Sequence, residues 1–317
     1  MKDDNQLRRK ILETLGVALF AISFTIIGIG TLPIILILFP ILFIAYGVKN
    51  GLLPSILIMV IVSTIVGFTT DTISGLLLFL TFAPITIVLI YGIKNRKSSI
   101  EILAASSLVF FLTILLIAGY MSGVSGINIA NKLENNFKSI LTIQVDFFKE
   151  MGLTNFELLK VKDLLEGMYK SMLLTVPSIV IIASLIISYV NYYVSVIVLR
   201  KIGIGVINIP RFSKFRLPNN IVPGILVMFL GAYLTKNIEG FSYETILANL
   251  ILLIGFMLYV QGLSVIDFLM NKRRIVFPLR IVFLLIIVFF TPLVSIILLL
   301  GLLDILIDFR KIRKPKS

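Results

Sequence analysis

The chain has 317 residues, of which 58% are hydrophobic and 14% charged, and its mean hydropathy is +1.08. No water-soluble core can hide that much apolar side chain, so lipid must be part of its solvent. With no Cys and no His, disulfides, Cys/His zinc sites and imidazole acid–base chemistry are excluded, and the net charge of +13 reports basic loops on an anionic membrane face rather than nucleic-acid binding.

Backbone groups in lipid must bond to one another, and long unbroken apolar runs do so as helices. The expected fold class is therefore an all-α polytopic transmembrane helix bundle. MKDDNQLRRK leads into an apolar run at 11–30 that is long and lacks a small-x-small cleavage site, which makes it a retained helix rather than a signal peptide. Gly28, Gly30 and Pro33 mark a very tight turn into the next run. Spans follow at 32–49, 52–70, 72–93 and 99–121, broken by Pro, Gly and charged clusters. The stretch 122–170 is the one sizeable non-spanning region. In it Leu133, Phe137, Ile140, Leu141, Phe148 and Met151 recur near helical spacing among Lys132, Glu134, Lys138 and Lys149, which predicts an amphipathic helix. Thr154 followed by Glu157 reads as a capping box opening a second helix. Further spans are expected at 171–199, 220–236 and 245–269. The last apolar stretch, 276–309, is long for one crossing, and Thr291-Pro292 in its middle predicts a tight turn that makes it two.

Charge sets the orientation. A cytoplasmic N-terminus puts Lys49, the Lys94/Arg96/Lys97 cluster, the loop from Arg200 to Arg216 and the Lys272/Arg273/Arg274 cluster on one side. Two final spans add Arg310, Lys311, Arg313, Lys314 and Lys316 to that side. The chain is thus expected to cross about ten times with both termini cytoplasmic, nine being the alternative. It divides into a six-span region, 1–200, that includes the extracytoplasmic loop 122–170, a cytoplasmic basic loop, 201–219, and a C-terminal transmembrane region, 220–317.

Ionisable residues near the spans sit toward their ends: Glu13, Asp71, Glu101, Glu239, Glu244, Asp267, Arg280, Asp304 and Asp308 are expected to be solvated at interfaces, so no midplane proton relay is visible. No catalytic constellation, metal site or cofactor motif stands out, so an enzyme is not expected. There is no G-x-x-x-x-G-K-S/T motif, so any ATP-driven step would need a separate membrane or ATPase partner. Uncharged polar residues inside spans are the candidates for binding a small molecule or lipid: Asn191 and Tyr192, beside Tyr193, and Gln261 with Ser264. Ser106, Ser107 and Thr113 form a further set, and the competing role for all of them is interhelical hydrogen bonding. Gly119 and Gly123 have the spacing of a helix-contact pair. In the basic loop, Pro210 and Pro218 stiffen a segment in which Arg211, Phe212, Lys214, Phe215 and Arg216 alternate cations with rings, suited to lipid headgroups or to a docking partner.

Pro177, Asn191-Tyr192, the turn Arg200-Lys201-Ile202-Gly203, then Pro210, Phe212 and Phe215-Arg216-Leu217-Pro218 leading into another span form a signature. It resembles the YybS-like predicted membrane proteins, a bacterial family, with Phe215 where that family often has Trp. Over its first six spans the family is distantly similar to the substrate-binding S components of energy-coupling-factor vitamin transporters. The resemblance implies a bacterial cytoplasmic-membrane protein that binds a small molecule or lipid among its helices and draws energy from another protein. The alternative is a non-transporting scaffold for cell-envelope machinery that docks its partners through loop 200–219.

Overall fold

A computed structural model describes residues 2–125, 129–206, 209–218, 220–308 and 310, and these are helical throughout, without a strand. The chain forms two compact units, Met1–Lys132 with Ala183–Ile209, and Leu133–Ile182 with Pro210–Ser317. The first holds α1 (Lys2–Gly30), a 3₁₀ segment (Pro33–Leu38), α2 (Pro40–Asn50), α3 (Leu52–Thr69), α4 (Thr72–Lys94), α5 (Ser99–Ser125) and most of α8 (Val176–Lys201). The second holds α6 (Ile129–Glu150), α7 (Asn155–Leu174), the start of α8, α9 (Ile221–Leu234), α10 (Tyr243–Lys272), α11 (Phe277–Phe289) and α12 (Val294–Ile307). By its contacts the segment Leu133–Ile182 thus groups with the C-terminal helices.

Among the described residues seven helical segments are long and apolar enough to cross a membrane: Lys10–Gly30, Pro33–Asn50, Leu52–Thr69, Thr72–Lys94, Ser99–Gly123, Val176–Lys201 and Tyr243–Lys272. The segment Ile221–Asn237 is apolar but shorter. The last apolar stretch breaks at Thr291-Pro292 as expected, yet its halves meet at 90° rather than folding back as a hairpin. At ~1.5 Å per residue, α11 reaches only about 20 Å, short of a hydrocarbon core of about 30 Å.

Proline explains where the second span breaks. Pro33 opens the 3₁₀ segment and Pro40 opens α2, because a residue without an N–H fits best in a first helical turn, where that donor would have no partner in the helix. Lipid tails are as apolar as the side chains, so close packing rather than water exclusion holds such helices together. In the N-terminal unit Gly67 and Gly75 let α3 and α4 touch: a Cβ on Gly75 would lie 2.5 Å from the Ser63 carbonyl oxygen and 2.6 Å from Gly67 Cα. A chain of rings fills the core beside it, Phe39–Phe43 at 4.8 Å, Phe39–Phe82 at 5.9 Å and Phe82–Phe110 at 6.1 Å. Asp71 caps α4 by accepting from the Ile73 and Ser74 amides, and the Ser74 hydroxyl, followed by those amides, holds its carboxyl below the usual range.

The region after α5 folds as its pattern predicts. The amphipathic segment is α6, and Thr154 forms the capping box with Glu157 at the start of α7. A Cβ added at Gly119 or Gly123 would meet nothing within 4 Å among the described residues, so there their spacing brings no helix together.

Candidate functional site

In the C-terminal unit, α10 and α12 cross at Gly262 and Gly301, where a Cβ on either glycine would overlap a carbonyl of the opposite helix, Ile297 or Leu258. That contact brings the neighbouring polar residues together. Gln261 Nε2 donates to Asp304 Oδ2 at 2.6 Å, and Asp304 is fully buried. Asp308 ends α12 with a left-handed φ of 53°, and Arg310 beyond it folds back onto Asp304.

The Arg310 guanidinium is saturated. Its Nε–H donates to Asp304 at 3.1–3.2 Å, one terminal nitrogen to the Ser213 carbonyl at 3.0 Å and to Ser264 Oγ at 2.8 Å, and the other to the Phe215 carbonyl at 2.9 Å and to Asp304 Oδ2 at 2.7 Å. These partners engage the full donor set of the side chain. Ser264 Oγ lies 2.7 Å from the Phe212 carbonyl and 3.0 Å from that of Phe215, while the Leu217 amide donates to Gln261 Oε1 at 3.0 Å. Arg216 pairs with Asp308 at 3.7 Å. A second pair, Arg280–Asp267 at 3.0 Å, is also buried, and Asp267 accepts from the backbone of Ser213. The basic loop is therefore clamped onto α10 and α12 by its own backbone. Arg216 turns inward, Phe212 packs on the small apolar core of this unit and stacks on Phe215 at 6.4 Å, and Arg211, Lys214 and Phe215 are left exposed.

Polar groups in the N-terminal unit behave differently. Ser184, Ser188, Asn191 and Ser195 lie on one face of α8 by their spacing and are buried to within 1%. Asn191 Nδ2 donates to the Ile187 carbonyl and to that of Ile37 in the 3₁₀ segment, both at 2.9 Å. Among the described residues its Oδ1 has no hydrogen-bond partner, and neither have Ser188 Oγ and Ser195 Oγ. Each buried polar atom left unpaired costs about 1–3 kcal/mol. The hydroxyl of Tyr192, next in the chain, is hydrogen-bonded to that of Ser99 at 3.1 Å, and Tyr193 stacks on Tyr189 at 5.8 Å.

The layout of these helices and of the loop signature has a counterpart among known sequences: the family model described as "Predicted membrane protein (DUF2232)" matches residues 17–305. The chain belongs to this family. Among relatives of this DUF2232 chain is the "Uncharacterized protein YybS" of Bacillus subtilis (strain 168), 25% identical over 247 residues, which is 78% of each chain. No solved structure matches.

Of the candidates read from this DUF2232 sequence, Asn191 and Tyr192 sit together on α8, whereas Gln261 and Ser264 hold the loop that carries Arg211, Phe212, Lys214, Phe215 and Arg216. Ser106, Ser107 and Thr113 bond to carbonyls of their own helix turn. Asp267, Arg280 and Asp304, expected at solvated interfaces, are buried in pairs. Ser188, Ser195, Asp304 and Arg310 were outside the candidate set. A seven-residue recurrence of polar residues in an apolar run, and an acid inside the apolar stretch followed six positions later by Arg, are the signals that mark them.

Proposed function

We propose that this chain binds a small molecule or lipid headgroup within its N-terminal unit, against the α8 face formed by Ser188, Asn191 and Ser195, and helps move it across the bacterial cytoplasmic membrane. The observation that carries this reading is the set of buried oxygens without partners on one helix face, beside a span whose helix is broken. Interrupted spanning helices with side chains bonded to their freed carbonyls are a common way to build a midplane binding site. The face offers one amide oxygen and two hydroxyls and carries no charge, so it suits a ligand that presents hydroxyl or amine hydrogens. Both termini and the basic loop are cytoplasmic in this reading, the chain performs no catalysis, and its energy comes from a partner, in keeping with the likeness of its first six spans to S components.

The test is thermal unfolding of the purified protein against a panel of hydroxylated and amino metabolites and of phospholipids. At least one compound raises the melting temperature of the wild type, Asn191→Leu and Ser188→Ala/Ser195→Ala abolish the rise, and Gln261→Leu keeps it. No rise with any compound, or a rise that survives the α8 substitutions, refutes the proposal.

A second reading has its own support: the clamped loop presents Arg211, Lys214 and Phe215 on a rigid backbone, as a docking element for a membrane or ATPase partner would. In that case Arg211→Ala/Lys214→Ala abolishes co-purification of the partner while leaving the melting temperature unchanged.

A further inference from the structure

The helices α6 and α7 form an antiparallel hairpin whose turn uses Gly152 at φ 85°. They meet through Phe137 and Tyr169, stacked at 5.2 Å, and through the Tyr169 hydroxyl, which donates to Gln144 Oε1 at 2.7 Å. Leu133, Leu141 and Phe148 on α6 and Leu158, Val161 and Leu165 on α7 share that half-buried seam. A second apolar stripe on each helix is exposed, with nothing over it among the described residues. On α6 it is Ile140, Ile143, Phe147 and Met151, and on α7 it is Leu164, Met168 and Met172, all large and 43–70% exposed.

At about 100° per residue, both stripes lie roughly 75° from the seam in the same rotational sense, and in antiparallel helices that places them on one side of the hairpin. The Glu134–Lys138 and Lys162–Glu166 ion pairs lie off these stripes, and Glu157, one seven-residue step before Leu164, closes the α7 stripe at the first turn of that helix. A contiguous apolar face of this size on a soluble surface marks an interaction site.

Three observations indicate what covers it. Both ends of the hairpin run into spans, α5 before it and α8 after it, so it stays at the membrane surface. The α7 stripe continues at the next seven-residue step into Ile179, 40% exposed on the apolar span α8. Only Thr175 interrupts the two helices, with Pro177 just beyond, and a Pro there frees a carbonyl and lets the axis turn. The balance of acids and bases, finally, makes the hairpin no polybasic ligand for anionic lipid, so apolar burial is what drives it.

We propose that the α6–α7 hairpin lies in the leaflet on its own side of the membrane, with Ile143, Phe147, Leu164 and Met168 among the acyl chains. It is an amphipathic lid laid on the bilayer, and its membrane contact is independent of which compound the α8 face binds.

The absence of Cys from the chain makes site-specific labelling clean. Single cysteines at Ile143, Met168 and Lys138, each carrying an environment-sensitive fluorophore, are placed in the full-length protein in vesicles of phosphatidylcholine and phosphatidylglycerol. Labels at 143 and 168 are expected to emit blue-shifted and to be quenched by doxyl lipids roughly threefold or more above the label at 138, which iodide quenches instead. Equal iodide access at all three sites overturns the proposal. So does efficient disulfide cross-linking of Ile143→Cys between copies without doxyl quenching, which assigns the face to a second copy.

Discussion

Two buried polar clusters, one in each unit, close their hydrogen bonds to different degrees, although Arg280 Nε in the C-terminal unit is also without a partner among the described residues. In the C-terminal unit the Arg310 guanidinium donates to Asp304, Ser264 and two loop carbonyls, and Gln261 joins in. In the N-terminal unit Asn191 satisfies its nitrogen on Ile187 and Ile37 but leaves its oxygen unpaired, with Ser188 and Ser195 on either side in the same condition. A saturated network is architecture: it fixes a loop and has little left to offer a ligand. An unsaturated one is a cost that a folded protein keeps only where something else supplies the missing partners. Polar residues in spans are therefore told apart less by type than by whether their hydrogen bonds close.

Breaking the closed network is expected to have the largest effect. Arg310→Met strands a fully buried carboxylate and is expected to cost about 3–5 kcal/mol, seen as a lowered melting temperature and new protease cutting at Arg211 and Lys214. Gly301→Val removes no polar group yet drives α12 off α10, with an expected loss of about 1–3 kcal/mol and the same new cleavage. If cleavage stays absent in both, the clamp does not hold the loop. Gln261→Leu comes next, at about 1–3 kcal/mol, because it leaves the Leu217 amide and one Asp304 oxygen short of a partner.

The open network responds in the reverse sense. Ser188→Ala and Ser195→Ala delete buried hydroxyls that have no partner among the described residues, so each is expected to leave unliganded stability unchanged or raise it by up to about 1–3 kcal/mol, while ligand-induced stabilisation is lost. A loss comparable to that of Gln261→Leu would place the α8 hydroxyls in the same structural class as the clamp.

Smallest is the cap of α7, outside both networks. The Thr154 hydroxyl, followed by its backbone amide, lowers the Glu157 pKa, so the contribution of this pair is fully present above the unfolded carboxyl value and is lost as pH falls through the folded one. Amide exchange in the first turn of α7 is expected to speed up over that acidic interval, and Glu157→Gln to remove the pH dependence.

Much of this was legible in the sequence. Apolar runs bounded by Pro and charge gave the helices, the 3.6-residue pattern of 133–151 gave α6, and Thr154 with Glu157 gave the start of α7. Asn191 and Tyr192 stood out as polar residues in an apolar span. What sequence spacing could not reveal was closure. Gln261 and Asp304 are 43 residues apart, and only the glycine contact of α10 with α12 puts them within hydrogen-bonding reach. Arg310 belongs to a basic tail by composition, and a left-handed Asp308 turns it inward. Pro40 likewise signals a break without giving its geometry, and Thr291-Pro292 signals a turn without giving its 90° angle.

Native mass spectrometry of the protein released gently from membranes tests the central claim most directly. A small-molecule or lipid adduct that stays on the wild type and on Gln261→Leu but is absent from Asn191→Leu, with all three folded, is the predicted result. An adduct of equal occupancy on Asn191→Leu, or none on the wild type, would contradict it.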